Sequence, residues 1–376
     1  MIMMMMTTTK HYTFWILLIF SISMASCSTI PSLGGKKHGV RFSFTFSACF
    51  PAPEIGINYG RYGSNLPPPE AIPSLVNSLS IKHVKTFDMD PRVTKSFANT
   101  GISLSLCIPN DKIPILASNA SEAESIIRTF ILPYHKNTII TSIAVGNEVS
   151  LMPQFSSHLV SAMENVHQAI KRYRLHKKIK VSTTHSLAIL SRRFPPSAAI
   201  FHKSIAESVL KPLVRFLQRT NSPLMVNVYP YLAYKQSFPS IPLDFALFQP
   251  MNNSKRRKYT DPYSGVTYTN LFDIMLDSVD SAVKSLGLPK IPMMVSEIGW
   301  PSSGDPGEVA ANLENARVFN QRLIQHLKRR GWNKIPVYIF ALFDEDQKTG
   351  ATVEKHWGLL YGNGSRKYDL NISPPI

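Results

Sequence analysis

A single (β/α)8 barrel is the fold this sequence predicts, and three observations predict it. From residue 55 onward, short apolar runs rich in β-branched residues alternate with longer segments of helical period. No Gly-rich phosphate turn follows the first run, which argues against a doubly wound open sheet; Gly56, Gly60 and Gly63 flank Asn58-Tyr59 without opening a helix in phase. Two of the apolar runs, far apart in the chain, close on a glutamate. A carboxylate is costly to desolvate, so two strands ending this way point to the C-terminal rim of a barrel, where active sites of this architecture form.

The strands are read in order at Ile55–Tyr59, His83–Phe87, Ser103–Ile108, Ile140–Glu148, Lys178–Thr184, Leu224–Tyr229, Pro292–Glu297 and Val337–Phe343. Three intervening segments carry clear apolar stripes. Ser156–Tyr173 aligns Leu159, Val160, Met163, Val166 and Ile170 on one face. Asn270–Leu286 does the same with Phe272, Met275, Val279 and Val283, and Ala311–Leu327 with Leu313, Ala316, Phe319, Leu323 and Leu327. The repeating units span roughly 320 residues, against about 250 for a typical barrel with room for insertions. The expected organisation is a secretory signal over residues 1–27, a segment of unassigned role over 28–54, and one catalytic barrel over 55–372, with no appended module after Trp357-Gly358-Leu359-Leu360.

The chain has 376 residues, of which 44% are apolar, enough to fill a large core. Its charge is basic, 41 Lys+Arg against 24 Asp+Glu, which suits an acidic matrix polymer as a partner. Runs at Lys171–Lys180 and Lys255–Lys258 read as a solvated helix face and a surface loop rather than a nucleic-acid patch, because no recognition motif accompanies them. Cys27, Cys49 and Cys107 form no disulfide framework and no metal-ligand spacing. Cys107, inside Ser103–Ile108, reads as a small buried hydrophobe. No metal or cofactor is expected.

At the N-terminus Lys10 and His11 precede an apolar stretch from Phe14 to Met24, with small residues at Ala25, Ser26 and Ser28. The stretch is shorter than the ~18–20 residues of a membrane span, so it reads as a signal cleaved between Ala25 and Ala52. Sequons at Asn119, Asn252, Asn363 and Asn371 fit a secreted chain. A secreted monomer, destined for the cell wall or the vacuole, is the expectation.

Glu148 and Glu297 are the candidate catalytic pair. Glycosidic-bond hydrolysis needs two carboxyl groups, one protonating the leaving oxygen and one acting on the anomeric carbon. Each residue taken alone could equally be a cap or a surface charge. Together, with Asn147 before one and Gly299-Trp300-Pro301 after the other, they point to chemistry.

Ordered motifs along the chain resemble plant glycoside hydrolase family 17. They are Ile57-Asn58-Tyr59-Gly60, Val145-Gly146-Asn147-Glu148, Val226-Asn227-Val228-Tyr229-Pro230-Tyr231, Ser296-Glu297-Ile298-Gly299-Trp300-Pro301-Ser302 and Phe343-Asp344-Glu345-Asp346-Gln347-Lys348. The likeness runs from Ile55 to about Leu370. It implies a (β/α)8 barrel and retaining endo-hydrolysis of β-1,3-glucan, with Glu148 as general acid/base and Glu297 as nucleophile. It also implies substrate-binding roles for Glu345, Lys348 and Glu354, and for the aromatic Tyr229. Asn147 is placed to bond a sugar 2-hydroxyl, and Tyr59, Tyr229 and Trp300 are candidate stackers on a curved β-1,3 chain. Trp300 reads equally as a core plug beneath the site. Lys348 either holds Glu297 or Glu345 ionised or braces the last loop through Glu345. Phe87-Asp88 stands where the family often has Tyr-Asp, and Asp344 and Asp346 where Asn is frequent. The alternatives are a catalytically idle glucan-binding wall protein on the same barrel and a β-glucan transglycosylase.

Overall fold

Eight parallel strands close into a barrel in the order β1-β8-β7-β6-β5-β4-β3-β2. They are β1 (Ile55–Tyr59), β2 (His83–Thr86), β3 (Ser103–Ile108), β4 (Ile139–Asn147), β5 (Lys180–Ser186), β6 (Leu224–Asn227), β7 (Met293–Ile298) and β8 (Val337–Ile339). The computed structural model describes residues 54–237, 239–249, 258–328 and 335–372. The expected signal, the segment that follows it, the Asn252 sequon and Lys255–Arg257 lie outside the described residues. Every strand of the sequence reading is present, and so is the closed barrel.

The alternation in β3 shows why these runs form a barrel. Leu104, Leu106 and Ile108 join the layer between sheet and helices. Cys107 points the other way and packs inside the barrel with Ala144, Met225, Met294 and Tyr338. Burial pushes its thiol up to about 11, so it behaves as the small apolar plug expected of it. Toward the mouth the barrel lumen turns polar, with Asn58, Lys85, Thr184, Asn227 and Glu297 all buried.

The outer layer includes α1 (Ile72–Ser78), α2 (Pro91–Ser96), α3 (Ile113–Ser118), α4 (Ala120–Phe130), α5 (Pro153–Arg172), α6 (Lys211–Thr220), α7 (Pro230–Gln236), α8 (Leu271–Ser285) and α9 (Leu313–Leu327). Their starts follow local chemistry. Asp90 accepts from the amides of Arg92 and Val93, Asn119 from Ser121, Asn270 from Asp273 and Asn312 from Asn315. Helix α5 begins at Pro153, ahead of the apolar stripe that predicts it from Ser156, because proline suits the first helical turn. After β8 the described chain forms a short 3₁₀ turn, Thr352–Lys355, in place of a longer helix.

Two antiparallel ribbons were not legible in the sequence pattern. One pairs Leu190–Arg192 with Ile200–Phe201, and the other pairs Tyr259–Thr260 with Thr267–Tyr268. Asp261 ties them together by accepting from the amide and hydroxyl of Ser197, at 2.9 and 2.7 Å. No helix among the described residues is long and apolar enough to cross a membrane.

Candidate active site

Glu148 is the residue immediately after β4, and Glu297 lies near the end of β7. The two strands stand three positions apart in the ring of eight, so the carboxyl groups face each other across the mouth. Both strands shift register where they approach the site. Asn227 on β6 pairs with Glu297 while Val226 pairs with Val295, so Ser296 is an extra residue on β7. A comparable shift separates Ala144 from Asn147 on β4, where Gly146 sits at φ 74° and Glu148 at φ 58°. Bulges of this kind re-aim side chains next to active sites. A left-handed backbone on a non-glycine residue is strained and needs a surrounding structure that enforces it.

That enforcement comes from strand β5 and from the β3–α3 loop. The Glu148 amide donates to the Thr184 carbonyl at 3.0 Å. The Thr184 hydroxyl donates to Asn147 Oδ1, so Asn147 offers a ligand its NH2 group. Asn110 takes both backbone groups of Asn147, accepting from its amide at 2.7 Å and donating to its carbonyl at 3.1 Å. On the outer side, the fully buried His185 bonds Ser150 through Nδ1 at 2.7 Å. Burial lowers this imidazole to about 4, so it is neutral under ordinary conditions.

The two carboxyl groups have different surroundings. Glu148 accepts one hydrogen bond, from Asn227 Nδ2 at 2.8 Å, and Asn227 is oriented by the Ser296 hydroxyl at 2.6 Å. Burial first, and then the Glu297 charge, push the Glu148 carboxyl above its ordinary range. Glu297 instead accepts from the Tyr229 hydroxyl at 2.8 Å and from the Lys85 ammonium at 3.1 Å. Burial, and then the Glu297 charge, hold the Tyr229 phenol well above its usual value, so it stays a donor. Lys85 is fully buried and also lies 4.1 Å from the Phe87 ring centroid. One carboxyl group is therefore raised by burial, and the other accepts from a buried ammonium and a phenol.

The remaining cleft residues divide. Glu345 is buried and accepts from the Tyr62 amide at 3.0 Å and from Lys348 at 2.9 Å. A Cβ on Gly60 would sit 2.2 Å from the Glu345 carboxyl, so only glycine fits there. Lys348 therefore pairs with Glu345 rather than with Glu297, and its ammonium lies over Phe340 at 4.3 Å. Burial first raises the Glu354 carboxyl, opposed by the Lys348 charge. These residues line one cavity of about 1270 Å³, together with Tyr59, Asn147, Glu148, Tyr229 and Glu297.

Trp300 corrects the stacking expectation. It is fully buried, donates through Nε1 to the Ala310 carbonyl at 2.8 Å and packs on Tyr231 and Phe319. It is a core plug and does not line the cavity; Trp357 does, edge-on to Tyr229 at 5.0 Å. Sequence reasoning also missed Lys85 and Asn227. The available signal for Lys85 was a lysine between Val84 and Thr86 in a run otherwise read as a buried strand. The departures at Asp344 and Asp346 are loop braces: Asp344 accepts from Lys367 at 2.5 Å and Asp346 from the Ser64 amide at 2.8 Å.

Removing one partner of a buried ion pair leaves the other charge uncompensated. Lys85→Met should therefore cost about 3–5 kcal/mol of stability. The double variant Lys85→Met/Glu297→Gln should recover most of that loss in denaturant melts, and additive losses would show that the pair is not coupled.

A closed (β/α)8 barrel carrying an asymmetric pair of carboxyl groups at its C-terminal mouth is the constellation of a glycoside hydrolase. The profile of glycosyl hydrolases family 17 matches residues 55–372, and the chain belongs to that family. It is similar to glucan endo-1,3-beta-glucosidase 12 of Arabidopsis thaliana, 42% identical over 329 residues that cover 86% of this chain and 60% of that protein. Glucan endo-1,3-beta-glucosidase 3 of the same plant is 41% identical over 340 residues, 88% of this chain and 67% of that protein. The chain thus spans about 60% of the first relative's length. Among solved structures, a beta-1,3-glucanase and allergen of Cryptomeria japonica pollen superposes with a TM-score of 0.79 at 38% identity, covering 85% of this chain and 99% of that one.

Proposed function

We propose that this protein is a retaining endo-β-1,3-glucanase. The observation that carries the reading is the asymmetry of the two carboxyl groups, with Glu148 raised by burial and Glu297 bonded by Lys85 and Tyr229. Glu297 attacks the anomeric carbon while Glu148 gives its proton to the departing glycosidic oxygen. The resulting glycosyl-enzyme is opened by water, whose proton returns to Glu148. Asn147 offers its NH2 to the sugar beside the scissile bond. Glu345, Lys348 and Glu354 bond hydroxyls along the cleft, and Tyr59, Tyr229 and Trp357 supply separate ring surfaces. Separate rings suit a curved β-1,3 chain better than one flat platform does.

Similarity to relatives described as glucan endo-1,3-beta-glucosidases supports the substrate class. The experiment compares kcat/KM on laminarin with that on a soluble cellulose derivative. Laminarin is expected to be cleaved faster, with oligosaccharides of several sizes appearing early. Preference for the cellulose derivative would overturn the linkage assignment. Binding without turnover would favour the idle binding protein, and chain lengthening at the expense of reducing ends the transglycosylase.

The N-terminal apolar stretch supports secretion to the wall or vacuole, with cleavage between Ala25 and Ala52. Sequencing the N-terminus of the secreted protein tests this, and an intact Met1 on the soluble product would refute it.

A further inference from the structure

One end of the barrel is cationic. Among the described residues, the segments that lead from a helix into the next strand carry six exposed cations, Lys82, Lys136, Arg174, Lys177, Lys178 and Lys290, and no Asp or Glu. Glu54 lies at the same end, just ahead of β1. The opposite end, where strands lead into helices, is mixed and largely paired: Asp88 and Asp90 bond Arg61, Asp111 bonds Lys112 and Glu308 bonds Lys235.

The cationic end has a centre. Strands β4 and β5 are neighbours, with Ser142 opposite Lys180, so the loops entering them lie side by side. The first carries Lys136, the second Arg174, Lys177 and Lys178, and Lys171 in the last turn of α5 adjoins them. None of these five forms a salt bridge among the described residues, whereas Arg172 and Arg219 beside them are paired with Glu124 and Glu164. Lys290, further round, pairs with Asp280, which Lys284 also bonds. The buried His167 beneath the patch is held below the usual histidine range by burial first, then by His176, Arg219, Lys171 and Lys180.

We propose that this end of the barrel is a docking surface for a polyuronate, an acidic polysaccharide carrying one carboxylate per sugar. Four of the five central cations are lysines, compact point charges suited to carboxylates spaced along a flexible chain; arginine forks, which match phosphate, are represented by Arg174 alone. Nucleic-acid surfaces add aromatic platforms for bases. Among the described residues, the exposed large aromatics Tyr62, Phe194, Tyr263 and Tyr361 all lie on segments that follow strands, at the other end. A polyuronate docked at this end lies at the back of the barrel and leaves the cleft free for a neutral chain.

The test uses the purified full-length protein and polygalacturonate of low esterification in affinity electrophoresis, at low and at high salt. Lys136→Glu/Lys177→Glu/Lys178→Glu should weaken binding by about tenfold or more at low salt, with the difference collapsing once the Debye length falls to about 3 Å. The equal-charge control Lys112→Glu/Lys203→Glu/Lys258→Glu, placed on segments that follow strands, should stay within about twofold of wild type. Fully methyl-esterified polymer should not bind. An unchanged melting temperature of the triple variant shows that it is folded, independently of any glucanase activity. The proposal fails if the control variant weakens binding equally, if the wild type does not retain polygalacturonate, or if duplex DNA is bound more tightly through the same three lysines.

Discussion

Glu297→Gln is expected to lower kcat on laminarin by more than about 10⁴-fold, beyond the upper end of what a positioned proton donor contributes. The amide keeps the size and most of the packing of the carboxylate but cannot form the covalent bond to the anomeric carbon. It can still accept through its oxygen from Lys85 or Tyr229, which donate at 3.1 and 2.8 Å in the native protein. Substrate binding should therefore survive, and laminarin should still protect the cleft. Mass spectrometry with an activated fluoro-sugar should find a glycosyl adduct on Glu297 in the wild type and none in the variant. Proton NMR of the first-formed product should show the β anomer, as a double displacement at carboxyl groups about 5–5.5 Å apart requires. An α anomer at early times would indicate inversion and remove Glu297 from the nucleophile's role even with activity intact.

The parts of this protein that were legible in its sequence are those governed by local pattern. Ile143-Ala144-Val145 and Met293-Met294-Val295 read as strands because β-branched and apolar residues fill both faces of a sheet covered by helices. Glu148 and Glu297 stood out because a carboxylate at the end of such a run conflicts with its surroundings. What stayed hidden depends on contacts between distant strands. The role of Lys85 emerges only when β2 and β7 are seen to aim it and Glu297 into the same lumen. The sequence singles out Trp300 and passes over Trp357, although both sit beside a glycine. The difference is that the Trp300 indole finds the Ala310 carbonyl beneath the cleft, whereas Trp357 reaches the Tyr229 ring at its surface. The bulges at Ser296 and Gly146 are invisible to period counting, since one extra residue changes which face a side chain takes without changing composition.

Glu148→Ala is the second large effect, and it separates catalysis from support. Loss of the proton donor should lower kcat on laminarin roughly 10²–10⁴-fold. An aryl glycoside with a good leaving group needs no proton in the first step, so the glycosyl-enzyme should accumulate and stall. Azide should then restore turnover and release a β-glycosyl azide, because a small anion fills the space of the missing carboxylate and needs no general base. The pH profile carries the same signature. The reactive form of Glu148 is protonated, and its carboxyl is raised by burial and by Glu297; the alkaline limb of wild-type kcat/KM should therefore lie above the ordinary carboxylate range and vanish in the variant. Stability runs the opposite way. A carboxyl whose pKa is higher folded than unfolded binds its proton more tightly in the native state, so its contribution is present below the unfolded value and is lost as pH rises through the folded one. Removing it should leave the melting temperature at neutral pH equal to or above that of the wild type, with the two converging in acid. A residue that served only to cap β4 would give a lower melting temperature at every pH and no response to azide, and that pair of results would remove Glu148 from the mechanism.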